Sequence, residues 1–91
     1  MITDYYVRSH CYNTSLKATN NLQKGLVYKD NKDYDKAIEY ISSAKYLHES
    51  VYKIGKSFDD NGVMKEAEEG IDRCTKILEN LPRENESREV S

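Results

Sequence analysis

Small and apolar side chains recur every seven residues in the stretch DYDKAIEYISSAKYLHESVYKIGKSF, which covers residues 33–58. At 3.6 residues per turn, residues seven apart lie on the same face of a helix. Three such rows lie side by side: Ala37, Ala44, Val51 and Phe58; Tyr40, Leu47 and Ile54; and Ile41, His48 and Gly55. The pattern predicts an amphipathic helix over residues 33–58, whose apolar face is wide enough to require two neighbouring helices.

A second set of seven-residue rows predicts another helix over residues 63–81. The rows are Met64, Ile71 and Leu78, and Ala67, Cys74 and Leu81. The turn sequence DDNG precedes this helix, and Pro82 ends it because proline disfavours the helical conformation of the residue before it. The residues after the proline are almost all polar, so residues 82–91 are predicted to be a disordered tail or linker.

The beginning of the chain allows two starts for the first helix. A row of seven-residue spacing crosses it, formed by Tyr5, Tyr12, Thr19 and Leu26. Thr3 or Asp4 can cap a helix that starts near residue 4, and the polar residues 13–15 offer a later start near residue 14. Either helix ends near residue 29, where the polar run KDNKD forms a turn and Asp33 caps the next helix.

These elements predict an all-α fold, an antiparallel three-helix bundle with helices at about 4/14–29, 33–58 and 63–81. Residues 14–81 form the three-helix domain in this interpretation, and residues 1–13 are an N-terminal extension of the first helix. The short turns make consecutive helices antiparallel neighbours. The domain itself is expected to be monomeric.

Composition narrows the classes of partner. The 91 residues carry 14 basic and 16 acidic side chains, a formal charge of −2, so no net positive charge attracts a phosphate backbone and no nucleic-acid partner is expected. The chain contains no run of 18 apolar residues, and MITDYYVRSH lacks the pattern of a secretory signal. We therefore expect a cytoplasmic chain that does not insert directly into a membrane.

Candidate chemistry is sparse. Two cysteines, Cys11 and Cys74, are too few for a disulfide framework or a zinc site, and Cys74 falls on an apolar row where a free cysteine packs as a small hydrophobe. The two histidines and the scattered carboxylates offer no pair of a base and an orienting group. We therefore predict a non-enzymatic protein with no metal site and no cofactor.

The third helix carries more apolar surface than a bundle needs. If the row Ala67, Cys74 and Leu81 faces the core, it leaves an adjacent stripe formed by Met64, Glu68, Ile71, Thr75 and Leu78. The stripe borders a groove against the second helix, near Leu47 and Val51. Such grooves accept amphipathic helices from partner proteins. The alternative is that the whole stripe belongs to the core.

A shift of thirty residues aligns the chain with itself. It pairs Gly25 with Gly55, Ala37 with Ala67, and Asp30-Asn31 with Asp60-Asn61, among other positions. The spacing of Gly25, Tyr28, Ala37 and Ala44 resembles that within a tetratricopeptide repeat, which implies a helical scaffold. The period is thirty rather than thirty-four, however, and fewer than three units are present.

Two motifs resemble the microtubule-interacting and trafficking (MIT) domain, a three-helix bundle. DYDKAIEYISSAKYL is similar to the second-helix signature of that family, and GIDRCTKIL is similar to its third-helix signature, with Cys74 where the family more often has alanine. The resemblance covers residues 14–81. It implies a module of endosomal or autophagic membrane traffic that receives C-terminal helical motifs of ESCRT-III subunits between its second and third helices.

By position, the resemblance makes Ile71 the floor of the groove and Asp72 the aspartate of the third-helix motif. Thr75 stands where several members have an acidic partner for an arginine of the ligand, with Glu68 and Asp72 flanking the same place. Together with the stripe, this gives the predicted partner-binding set: Leu47, Val51, Met64, Glu68, Ile71, Asp72 and Thr75.

A second branch of the resemblance implies another partner. The stretch AIEYISSAKYLHES is also similar to the N-terminal MIT domain of an autophagy adaptor of the class III phosphatidylinositol 3-kinase complex. In that case the partner is a subunit of the kinase complex or an autophagy factor. Both branches imply a cytoplasmic protein that is recruited to endosomal or autophagic membranes.

Overall fold

In a computed structural model, which describes residues 2–82, the chain folds into three α-helices: α1 (Tyr5–Asp30), α2 (Tyr34–Ser57) and α3 (Asn61–Asn80). No strand occurs among these residues. α2 lies in the middle, and α1 and α3 both pack against it while they meet each other only slightly. The predicted all-α three-helix bundle is confirmed, and α2 has the two neighbours that its wide apolar face requires.

The helix pairs are antiparallel. Tyr28 near the end of α1 stacks on Tyr40 near the start of α2, whereas Cys11 near the start of α1 shares a core cluster with Val51 near the end of α2. Two short turns connect the three helices. Helices joined by such short turns pack side by side in opposite directions.

An aspartate caps the beginning of every helix. The Asp4 carboxylate accepts hydrogen bonds from two amides of the first turn of α1 at 2.8 and 3.1 Å, while Asp33 and Asp60 each accept one from the first turn of the helix that they cap. These carboxylates satisfy amides that have no partner within the helix. Of the two starts considered for α1, the one near residue 4 is therefore the real one, and residues 13–15 lie inside the helix.

The two turns have the same geometry. Lys32 and Asp59 adopt positive φ angles of 63° and 52°, and the amides of Asp33 and Asp60 donate to the carbonyl five residues earlier at 2.9 and 2.8 Å. Asp33 is thus the structural equivalent of Asp60, whereas a shift of thirty residues pairs Asp30 with Asp60. The thirty-residue echo in the sequence does not follow the structural correspondence of the turns.

α3 begins two residues earlier than residue 63 and ends one residue before residue 81. Because Asp60 caps the helix, Asn61 and Gly62 form its first turn instead of a separate turn. Leu81 is extended, with φ −80° and ψ 136°, since the proline ring that follows disfavours the helical conformation. The predicted tail after Pro82 lies outside the described residues.

Ile2 fastens the start of the chain to the turn between α2 and α3. Its side chain is fully buried against Cys11, Val51 and Ala67, and its amide donates to the Asp60 carboxylate at 3.1 Å. The hydrogen bonds from the Ile2 and Val63 amides lower the pKa of Asp60. One carboxylate therefore caps α3 and also anchors the residues that precede α1. The sequence patterns did not indicate this contact.

Small side chains fill the centre of the bundle. The predicted row of Ala37, Ala44 and Val51 is buried, and Ile41 is fully buried beside it. Phe58 departs from the row and is 44% exposed, because α2 ends at Ser57 and the chain turns away. The seven-residue rows therefore identified the core of α2 correctly up to the last turn.

Replacing Ala44 with leucine should destabilise the fold. Ala44 has no exposed surface and lies in a cluster with Ala18, Ile41 and Cys74, so three extra carbon atoms displace close-packed neighbours. We expect a loss of about 1–3 kcal/mol in the free energy of unfolding, measured by urea titration. The control is Ser42→Leu, because Ser42 is exposed and gains a side chain of the same size. If Ala44→Leu is as stable as this control, the row does not face the core.

Candidate functional site

The face of α3 that was predicted to meet the core does so. Ala67, Gly70, Cys74 and Leu81 are all buried, and Cys74 is among the largest side chains that have no exposed surface. None of these fully buried residues belongs to the adjacent stripe. The stripe is therefore on the flank of α3, where side chains are partly covered by the bundle and partly open.

The flank combines half-buried apolar residues with exposed acidic ones. Met64, Ile71 and Thr75 are half-buried, and Glu68 and Asp72 are exposed. Leu78, on the same side, packs partly against the main core cluster. We call this surface, formed by residues 64, 68, 71, 72, 75 and 78, the α3 flank. It offers an apolar strip with carboxylates beside it.

The structure places Val51 and Leu47 away from this flank. Val51 is only 3% exposed and belongs to the core cluster with Cys11 and Ala67, so it offers almost no surface for a partner. Leu47 lies seven residues after Tyr40, whose ring stacks on Tyr28 of α1, and thus on the side of α2 that faces α1. The set that the structure brings together is Met64, Glu68, Ile71, Asp72 and Thr75.

The side of α2 that faces the α3 flank carries a different row, which sequence reasoning missed. Lys45 lies about 200° around the helix axis from Leu47 and close enough to α3 to act electrostatically on Cys74. Ile38 and Tyr52, each seven residues from Lys45, are half-buried and pack against the core. The seven-residue spacing of Ile38, Lys45 and Tyr52 could have revealed this row in the sequence. The row is hard to recognise as apolar because a lysine stands in its middle.

His48 and Gly70 set the closest approach between α2 and α3. A Cβ atom at Gly70 would lie 2.5 Å from the nearest atom of the His48 ring, so the ring rests directly on the glycine backbone. Burial lowers the pKa of His48, and the positive charge of Arg73 lowers it further. The imidazole is therefore held neutral at the interface, because a charged ring there is poorly solvated.

An open groove also lies between α1 and α3. It has a volume of about 260 Å³, and the apolar residues along it include the half-buried Val63 and the almost fully buried Cys11 and Val51. Arg8 stands at its rim on α1 and Glu66 at its rim on α3. The groove exists because α1 and α3 both pack on α2 without closing on each other.

The cysteines are packed in the core and have no sign of activation. Cys11 and Cys74 are buried free thiols, and burial raises the pKa of both. Lysine and arginine partly offset this for Cys74, but the thiol stays protonated at neutral pH. Within residues 2–82, no three His, Cys, Asp or Glu side chains are arranged to hold a metal ion.

The geometry defines an all-α three-helix domain with a partly open α3 flank and an open groove between α1 and α3. No protein-family model, curated protein or solved structure matches the chain. Over the described residues, none of the helices is long and apolar enough to cross a membrane.

The position of His48 predicts that the fold is sensitive to mild acid. Because the folded chain holds the pKa of His48 below its ordinary value of 6.5, the unfolded chain binds the proton more readily. The contribution of neutral His48 to the free energy of unfolding is fully present above pH 6.5. It is lost as the pH falls through the lower pKa that His48 has in the folded state. Urea unfolding between pH 7.5 and 5 should show this decline.

Two glutamine variants separate His48 from other titrating groups. His48→Gln should remove most of the decline over this range, whereas His10→Gln should retain it, because His10 is exposed on α1. A decline that is equally steep in both variants would assign the acid sensitivity to other side chains.

Proposed function

We propose that the protein is a non-catalytic interaction module that binds an amphipathic helix of a partner protein between α2 and α3, along the α3 flank. The observation that carries the proposal is the half-burial of Met64, Ile71 and Thr75 beside a core face that is complete without them. A helical ligand with apolar side chains three and four residues apart fits such a strip. When the ligand helix covers the apolar side chains of the α3 flank, their removal from water supplies the binding energy.

Charge at the edges of the strip favours a ligand with a basic residue. Glu68 and Asp72 are exposed on α3 next to Ile71 and Thr75. An arginine or lysine of the ligand helix that reaches them forms ion pairs at the rim, which contribute to orientation more than to affinity.

The family resemblance supplies a finer proposal. If the chain is an MIT domain, its ligands are C-terminal helices of ESCRT-III subunits, and it works in the cytoplasm on endosomal or autophagic membranes. If it corresponds to the autophagy adaptor, its partner is a subunit of the class III phosphatidylinositol 3-kinase complex. A tetratricopeptide-like scaffold is a third proposal. It is weakened because the thirty-residue echo pairs Asp30 with Asp60, whereas the geometry of the turns makes Asp33 equivalent to Asp60.

The groove between α1 and α3 is a second candidate surface for the same function. Its cavity of about 260 Å³ favours it, and so does Tyr12 at its edge, whose side chain is 68% exposed. One substitution on each surface therefore tests which of them binds.

Ile71→Asp should abolish binding of helical ligands. An aspartate at the centre of the α3 flank becomes a buried, unpaired carboxylate when the ligand covers it, which costs far more than a lost methyl contact. Amide chemical shifts of the labelled domain, recorded against a panel of ESCRT-III C-terminal peptides, should give micromolar affinity, about −8 kcal/mol, for the native sequence. The largest shifts should fall on α2 and α3.

The matched variant is Tyr12→Asp, which introduces the same charge at the α1–α3 groove and should leave binding intact. Ile71→Asp should remain folded, with a loss of about 1–2 kcal/mol, because Ile71 is partly exposed in the free domain. Loss of binding in Tyr12→Asp alone would move the site to the α1–α3 groove. Absence of binding across the whole panel would favour a subunit of the kinase complex as the partner.

A further inference from the structure

Four side chains form a reciprocal arrangement where α1 and α2 meet. The rings of Tyr28 from α1 and Tyr40 from α2 stack with centroids 5.4 Å apart and planes inclined by 14°. The Lys24 ammonium of α1 lies 5.9 Å from the centroid of the Tyr40 ring, and the Lys36 ammonium of α2 lies 5.3 Å from that of Tyr28. Each helix thus contributes one lysine to the tyrosine of the other.

Within the part of the chain that the structure describes, these ammonium groups have no acidic partner. Among residues 2–82, neither Lys24 nor Lys36 forms an ion pair, although acidic residues outnumber basic ones in the chain. Both lysines are exposed, so their positive charge is open to a ligand. Their contacts with the rings restrict where the ammonium groups lie, which reduces the entropy that a ligand must remove.

An open cavity with an apolar edge adjoins the two rings. Lys24, Val27, Tyr28 and Tyr40 line a hollow of about 470 Å³, and no acidic residue is among them. Val27 is 58% exposed, so its side chain gives the hollow an apolar edge. The hollow therefore combines positive charge with apolar surface.

The distribution of charge over the helices agrees with an acidic ligand on this side. α1 contains four basic side chains and one acidic, whereas α3 contains three basic and five acidic. α1, which forms one wall of the hollow, therefore carries a basic excess, whereas α3 carries an acidic one.

We propose that the hollow around Tyr28 and Tyr40 is a docking site for an acidic segment of a partner protein that carries an apolar side chain. The apolar side chain covers Val27 and the edges of the rings, and flanking carboxylates pair with Lys24 and Lys36. Such a site is separate from the α3 flank and does not depend on binding there.

A protein segment fits the hollow better than a membrane or a nucleic acid. Electrostatic attachment to an anionic membrane requires clusters of about four to eight basic residues, and this site has two. Nucleic-acid recognition of single strands uses aromatic faces on which bases stack, whereas these two rings already stack on each other. The net charge of −2 also disfavours a polyphosphate.

The test uses a capped peptide of glutamate and aspartate with one central leucine, titrated into the labelled protein at low salt. Amide shifts should concentrate on residues 24–28 and 36–40, with a dissociation constant in the high micromolar range that rises with salt. A peptide with lysine in place of every acidic residue should cause no shifts there. Absence of shifts in these two segments at millimolar acidic peptide would overturn the proposal.

Charge-matched variants distinguish the site from a general effect of charge. Lys24→Gln with Lys36→Gln should weaken binding at least tenfold, while Lys65→Gln with Lys76→Gln, which removes two exposed lysines of α3, should change it less than twofold. Equal weakening by the two pairs would contradict a localised site. If vesicles containing phosphatidylserine bind the protein and the acidic peptide does not, the surface recognises a membrane and the proposal is wrong.

A third variant keeps the test valid if the glutamine pair loosens the contact between α1 and α2. Val27→Asp adds a negative charge at an exposed position that makes none of the ring contacts, so the melting temperature should stay within a few degrees. The added carboxylate repels the acidic peptide, and binding should fall at least tenfold. Unchanged affinity in this folded variant would overturn the proposal.

Discussion

The fold depends on glycines that let bulky side chains of α2 approach the backbones of both neighbouring helices. A Cβ atom at Gly25 of α1 would lie 2.5 Å from Ile41, and one at Gly70 of α3 would lie equally close to the His48 ring. Ile41 and His48 are seven residues apart on α2, on one face of the helix. Each of them therefore fixes the register of one neighbour, and small residues such as Ala18 and Cys74 fill the space between these two contacts.

This mode of packing determines which surfaces remain open. α1 and α3 each pack closely on α2 but hardly contact each other, which leaves the groove that Arg8 and Glu66 border. Because the inner face of α3 is made of small residues, its larger side chains, including Met64 and Ile71, lie on the flank instead of at the centre. The candidate binding surfaces thus follow from the same close approach that stabilises the bundle.

The sequence predicts the centre of each buried face better than its edges. Seven-residue spacing identified Ala44 and Cys74 as core, since residues seven apart keep nearly the same direction whatever surrounds the helix. It did not reveal that Leu47 faces α1 and Lys45 faces α3. The two edges of a wide apolar face are equivalent in a periodic pattern, so their assignment requires knowing which side each neighbour occupies.

Contacts between distant parts of the chain were also beyond local patterns. The bond between the Ile2 amide and Asp60 joins residues that are 58 positions apart, and nothing in the sequence around either residue specifies it. Asp60 was recognisable only as part of a turn, although it also fixes the start of α3. The tyrosine pair is similar, because the seven-residue row of Tyr40, Leu47 and Ile54 gave no indication that Tyr40 stacks on a ring of α1.

The α3 flank and the hollow around Tyr28 and Tyr40 lie on different sides of α2, and this constrains any partner that uses both of these proposed surfaces. Packed helix axes are about 8–10 Å apart, so the hollow beside Tyr28 and the α3 flank, on different sides of α2, lie about a helix width or more apart. A single ligand helix is about 10 Å wide and cannot cover both. Their charges also differ, since acidic side chains border the α3 flank and lysines border the hollow. A partner that engages both surfaces must therefore present a basic helix and a separate acidic segment. The length of the linker between these two parts determines how much more tightly they bind together than either part binds alone.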